Sequence, residues 1–128
     1  MEESKISILI ADDNKFWCNI LKKYLSKFKS EFIIVGIANT NEEEIDLIEK
    51  FKPNVVITDI LRSNNKNALD VIKRYSNKDN SPYFLIISGD DQAYTLKNNR
   101  ELKICGYITK PILNYDLIRK NILYINYL

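Results

Sequence analysis

Four places in the 128-residue chain set a chemically active side chain directly after a run of apolar, largely β-branched residues. Asp12-Asp13 follow Ile6-Ser7-Ile8-Leu9-Ile10-Ala11, and Asp59 follows Val55-Val56-Ile57-Thr58. Ser88-Gly89 close Tyr83-Phe84-Leu85-Ile86-Ile87, and Lys110-Pro111 follow Ile104-Cys105-Gly106-Tyr107-Ile108-Thr109. Each has a plain structural reading: a helix cap for Asp12-Asp13, a turn for Asp59, a strand ending for Ser88-Gly89, a solvated lysine before a proline stop. Gathered at one point, however, three carboxylates repel one another and are driven to take up protons unless a cation joins them. Mg²⁺ is the natural guest, because it prefers oxygen ligands at ~2.0 to 2.1 Å, keeps several waters and commonly sits between carboxylates and phosphate. Three carboxylates, Lys110 and one Mg²⁺ sum to no net charge, and such a pocket can receive an anionic phosphoryl group.

The elements that must position these groups are legible in the apolar pattern. The runs at 6–11, 32–38, 53–59, 83–88 and 104–109 are nearly continuous in apolar content, which is how parallel strands covered on both faces read. Between them lie amphipathic segments. After Asp13, the residues Trp17, Ile20, Leu21, Tyr24, Leu25 and Phe28 fall at helical spacing among lysines. A second helix opens at Asn41-Glu42-Glu43-Glu44, with Asn41 as its cap and acidic residues in the first turn. A third covers Ala68 to Tyr75, a fourth Gln92 to about Asn99, and a fifth runs from Asn114 to the end, while 63–67 and 76–82 read as loops.

Five strands alternating with five helices predict one α/β domain over residues 1–128, a (βα)5 flavodoxin-like fold with a parallel sheet of order 2-1-3-4-5 and helices on both faces. Ligands of such sheets sit outside the carboxyl ends of the strands, where all the groups named above converge. The second strand, ending in Ala38-Asn39 without a charged group, then lies at the edge.

Composition narrows the chemistry further. The chain has no histidine, which excludes a Ser-His-Asp or Cys-His centre, a histidine-ligated zinc and a phosphohistidine of its own. Nineteen Lys and Arg against seventeen Asp and Glu leave a net charge of +2, so bulk electrostatics makes no case for nucleic acid or membrane binding. Cys18 and Cys105 are too few and too far apart for a zinc cluster or a disulfide framework, and the short apolar stretch near the N-terminus suits neither a signal peptide nor a membrane span. A reduced, cytoplasmic protein is the expectation.

The ordered set Asp12-Asp13, Val55-Val56-Ile57-Thr58-Asp59, Ile87-Ser88-Gly89 and Gly106-Tyr107-Ile108-Thr109-Lys110-Pro111 resembles the receiver (CheY-like) domain of two-component response regulators, and the resemblance covers essentially the whole chain. It implies that Asp59 accepts a phosphoryl group from a histidine kinase or phosphotransfer protein. It further implies that Asp12 and Asp13 hold Mg²⁺ together with Asp59 and the backbone carbonyl of Leu61, and that Lys110 pairs with the acceptor and then with the phosphate. By the same likeness, Ser88 and Tyr107 are the switch pair, and Pro111 follows a cis peptide. The affected surface would be the fourth helix, fifth strand and fifth helix, through which a downstream protein or a second copy would bind. The domain would be a phosphoacceptor rather than an enzyme, with slow self-dephosphorylation at most.

One segment departs from the family pattern. The loop after Asp59, Ile60-Leu61-Arg62-Ser63-Asn64-Asn65-Lys66-Asn67, lacks the family's usual Pro and Gly and carries one extra residue. Asp90 stands where members vary, and reads equally as a tuner of dephosphorylation and as a helix cap. The last seven residues, Ile122 to Leu128, are apolar nearly all round, which suits a packed terminal helix, a partner surface, or a helix leading into a further domain. A pseudo-receiver that binds a partner without phosphorylation is the alternative function, against which the intact Asp12, Asp13, Asp59, Ser88 and Lys110 speak. A metal-dependent phosphatase is disfavoured by the adjacent rather than spaced aspartates and by the short chain. If the chain is whole, its output runs through protein contact.

Overall fold

The structure, a computed structural model, describes residues 4–60, 68–75, 79–89, 102–112 and 114–128. Five parallel strands, β1 (Ile6–Ala11), β2 (Phe32–Ala38), β3 (Val55–Thr58), β4 (Tyr83–Ser88) and β5 (Ile104–Thr109), form one sheet in the order β2-β1-β3-β4-β5. The described α-helices are α1 (Lys15–Leu25), α2 (Asn41–Phe51), α3 (Leu69–Tyr75) and α4 (Asp116–Leu123), and a 3₁₀ turn (Tyr124–Tyr127) follows the last. The helix predicted over Gln92 to Asn99 lies outside the described residues, as do Leu61 and Asp90.

Alternation along each strand divides the core into two layers. Ile6, Ile8 and Ile10 of β1, with Val55, Ile57, Leu85 and Ile87, face α1 (Cys18, Leu21, Leu25) and α4 (Ile118, Ile122). Leu9 and Ala11, with Val56, Phe84 and Ile86, face α2 (Ile48) and α3 (Leu69, Val71, Ile72). Burial on both faces is why these strands carry apolar runs rather than a polar-apolar alternation.

Registers align the strand ends. Ala11 pairs with Thr58 across β1 and β3, and Ser88 with Thr109 across β4 and β5. The residue that follows each end therefore emerges on the same rim: Asp12, Asp59 and Lys110.

Helix ends differ from the predicted ones where capping competition is local. The N-cap of α1 is Asn14, whose side chain accepts from the Trp17 amide at 3.0 Å, so Asp12 and Asp13 are released from the capping role that would account for them structurally. In α2 the cap is Thr40 rather than Asn41. Thr40 is extended (φ −135°, ψ 163°), accepts from the Glu43 amide at 3.1 Å, and its hydroxyl donates to Glu43 Oε1 at 3.4 Å. The last helix starts at Asp116, two residues later than predicted, and tightens into the 3₁₀ turn before the chain end.

Candidate functional site

The three strand ends bring Asp12, Asp59 and Lys110 into contact. Lys110 Nζ lies 2.9 Å from Asp59 Oδ2 and 3.1 Å from Asp12 Oδ2. The side chains of Asp12 and Asp59 are 4% and 11% exposed and that of Lys110 23%, so the charges interact across protein more than across water. Each is fixed by backbone: the Asp12 amide donates to Ala38 O, the Asp59 amide to Ala11 O, and the Lys110 amide to Ser88 O at 2.8 Å. The Lys110-Pro111 peptide is cis.

Burial sets the protonation tendencies. It pushes the Asp12 carboxyl above its usual range; the Asn14 amide, which donates to Asp12 Oδ1 at 3.0 Å, and the charge of Lys110 pull it back without prevailing, and Asp59 adds to the rise. Burial also works against the charge on Lys110, but its hydrogen bond to Asp59 and the charges of Asp12 and Asp59 prevail and raise it above the usual lysine value. Lys110 thus stays an ammonium, a donor to whatever oxygen faces it. The Cys18 thiol beside the site donates to Asp12 O at 3.3 Å and is pushed by burial to about 11, which keeps it a thiol and not a nucleophile at neutral pH.

Of the other predicted site residues, Ser88, Asp13 and Tyr107 lie among the described residues. Ser88 is fully buried at the end of β4, in the strand next to Lys110. Asp13 is half-buried directly after Asp12. Tyr107 lies on β5, half-buried against the layer that faces α2 and α3. Leu61, the expected carbonyl ligand, lies outside the described residues.

Among the described residues, no three acidic or thiol side chains form a ready-made metal centre. The donor set nonetheless fits Mg²⁺. Among the described residues, two largely buried carboxylates face a single ammonium, an excess of negative charge that accords with the raised Asp12 carboxyl, and each of those carboxylates offers hard oxygens. Mg²⁺ characteristically uses one or two carboxylates and keeps waters rather than requiring a protein cage.

One contributor escaped the sequence reading, and a second was read only in part. Asn39, at the end of the edge strand set aside for its lack of charge, donates through Nδ2 to Asp12 O at 2.9 Å. Its amide at a strand end was the available signal. The Trp17 ring lies under Lys110 Nζ at 5.0 Å; helical spacing placed it near Asp13 but said nothing of β5.

A doubly covered parallel sheet with a lysine-bridged pair of aspartates at its carboxyl rim sets its charged groups where open α/β sheets bind their ligands. Residues 8–122 match the response regulator receiver domain, and the chain belongs to that family, the receivers of two-component systems. It is 32% identical over 116 residues to the transcriptional regulatory protein DegU of Brevibacillus brevis, covering 88% of this chain and 47% of that one. To the chemotaxis protein CheY of Halobacterium salinarum it is 24% identical over 104 residues, covering 81% of this chain and 83% of CheY. The chain thus spans about half of the first relative and most of the second. The fold superposes on the response regulator domain of Thermotoga maritima CheB with a TM-score of 0.77 at 24% identity, covering 96% of this chain and 98% of that domain. No helix among the described residues is long and apolar enough to cross a membrane.

Proposed function

We propose that this receiver takes a phosphoryl group on Asp59 from a phosphohistidine of a partner histidine kinase or phosphotransfer protein. The observation that carries the reading is the Lys110 ammonium set 2.9 Å from Asp59 and 3.1 Å from Asp12 on the rim where the strands end. A carboxylate oxygen of Asp59 attacks phosphorus in line; the P–N bond to the donor imidazole breaks as the P–O bond forms, and the imidazole leaves with the bonding electrons. Lys110 shifts from carboxylate to phosphoryl oxygen, neutralising charge where it develops. Asp12, Asp13 and Asp59, with the Leu61 carbonyl, are the residues that would hold Mg²⁺, which supplies charge neutralisation on the phosphoryl oxygens. The absence of histidine from the chain supports a donor on another molecule.

Water then attacks the acyl phosphate and returns Asp59 and inorganic phosphate, so the domain is a timed switch rather than an enzyme acting on a separate substrate. Ser88 and Tyr107 are the groups through which phosphorylation biases the outer surface of β5 and α4 towards a downstream protein or a second copy. The exposed Leu117 on α4, and Tyr124, Tyr127 and Leu128 beyond it, are apolar groups available to such a contact. Cys18 and Cys105, both free, accord with a cytoplasmic setting.

The test is intact mass after incubation with Mg²⁺ and acetyl phosphate, with a known active regulator alongside. The wild type is expected to gain one phosphoryl group and Asp59→Asn none. No gain in the wild type, with the control active, overturns the reading in favour of a phosphorylation-independent binding module.

A further inference from the structure

The ammonium of Lys110 has three N–H bonds and meets two carboxylates, and an aromatic face lies against it as well. The centroid of the Trp17 ring is 5.0 Å from Lys110 Nζ, within the ~6 Å over which a cation is drawn to a ring face. The ring is tied to the acidic pair through backbone: Asp12 Oδ1 accepts from the Asn14 amide at 3.0 Å, and Asn14 Oδ1 accepts from the Trp17 amide at 3.0 Å. On another side Trp17 meets the Tyr115 ring, tilted by 42° with centroids 6.4 Å apart. The indole N–H is buried and has no acceptor among the described residues, so no hydrogen bond of its own there accounts for the ring's place.

We infer that Trp17 is a positioning residue for Lys110, holding the ammonium over its face while the lysine exchanges a carboxylate oxygen for a phosphoryl oxygen. This inference rests on the phosphoacceptor reading of Asp59. Its physical basis is that attraction to a ring quadrupole follows the position of the charge and competes for none of the directed N–H bonds. A polar side chain in the same place would accept one of those bonds and hold the lysine back; an aliphatic one would leave the cation without support during the exchange.

Trp17 is the only tryptophan, so biosynthetic fluorotryptophan enters this position alone. Fluorine withdraws charge from the ring face with little change in shape, and a role confined to packing would not respond to it. Rates of phosphoryl uptake from acetyl phosphate with Mg²⁺ are expected to fall stepwise as ring fluorine increases, with the thermal midpoint nearly constant. Trp17→Leu should be slowed about fivefold, and Trp17→Phe should recover most of the loss. A second readout needs no phosphorylation: Lys110→Met is expected to shift the tryptophan emission of the metal-free protein. Rates independent of fluorine content overturn the positioning role, as does identical emission in wild type and Lys110→Met. A wild type that takes up no phosphoryl group removes the role together with the phosphoacceptor reading, and the emission comparison then still reports whether the contact exists.

Discussion

Asp12 is the residue on which burial and charge conflict most directly. Its side chain is almost wholly enclosed, its neighbour Asp59 carries the same charge, and the Lys110 ammonium is shared between them. The folded state therefore binds the Asp12 proton more tightly than the unfolded chain does. Stability from this group is fully present below the ordinary carboxylate value and is lost as pH rises through the higher native one. Asp12→Asn removes that loss. In chelator, its thermal midpoint near pH 7 is expected to exceed that of the wild type by a few degrees, the scale on which ~1 kcal/mol acts in a domain of this size. The gap should close as pH falls towards about 4. Melts followed by circular dichroism across that range check it, and a variant less stable than wild type throughout would show that the Lys110 contact outweighs the burial of charge. The identities of Asp12, Asp59 and Lys110 were readable because charged groups after apolar runs are conspicuous. Asn39 was not, because a neutral amide at a strand end resembles any turn residue until its partner is known.

At the level of elements, β5 and α4 approach closely at Gly106. A Cβ built on Gly106 would stand 2.1 Å from Asn121 Oδ1, 2.6 Å from its Cγ and 3.1 Å from its Cβ, while the Asn121 amide is held by Leu117 O at 2.7 Å. The side chain cannot swing clear without giving up that bond. Gly106→Ala is expected to cost about 1 to 3 kcal/mol, the usual range for overpacking. Asn121→Ala in the same chain should recover most but not all of it, since the Cβ of residue 121 remains close; urea denaturation of the single and double variants measures both. Full tolerance of Gly106→Ala would mean that α4 rides further from the sheet. The strands were legible almost to the residue because burial on both faces writes itself as continuous apolar runs. Helix starts were less so: Asn14, Thr40, Asn41 and the aspartates are all competent caps, and the choice among them depends on which one the preceding strand delivers in extended conformation.

Across the whole molecule, the site joins residues 12, 59 and 110, each at the end of a different strand, so occupying it ties β1, β3 and β5 together. A ligand that binds only this assembled rim stabilises the fold by mass action, by ~2.7 kcal/mol at a hundredfold excess over its dissociation constant. Addition of Mg²⁺ is therefore expected to raise the thermal midpoint by several degrees, chelator to reverse the gain, and Asp12→Asn to reduce it strongly. An unchanged midpoint at saturating metal would count against the carboxylate rim as a Mg²⁺ site. By itself the sequence determined the alternation of strands and helices, the sheet as the only way to bury five apolar runs, and the kinds of group at its carboxyl edge, because these are properties of local periodicity and composition. Only the tertiary structure decided which groups touch: that one lysine bridges Asp12 and Asp59, that an edge-strand amide holds Asp12, and that an indole face lies under the same ammonium. Those contacts span between 27 and 98 positions of chain and are set by strand register and helix packing, which no local pattern specifies.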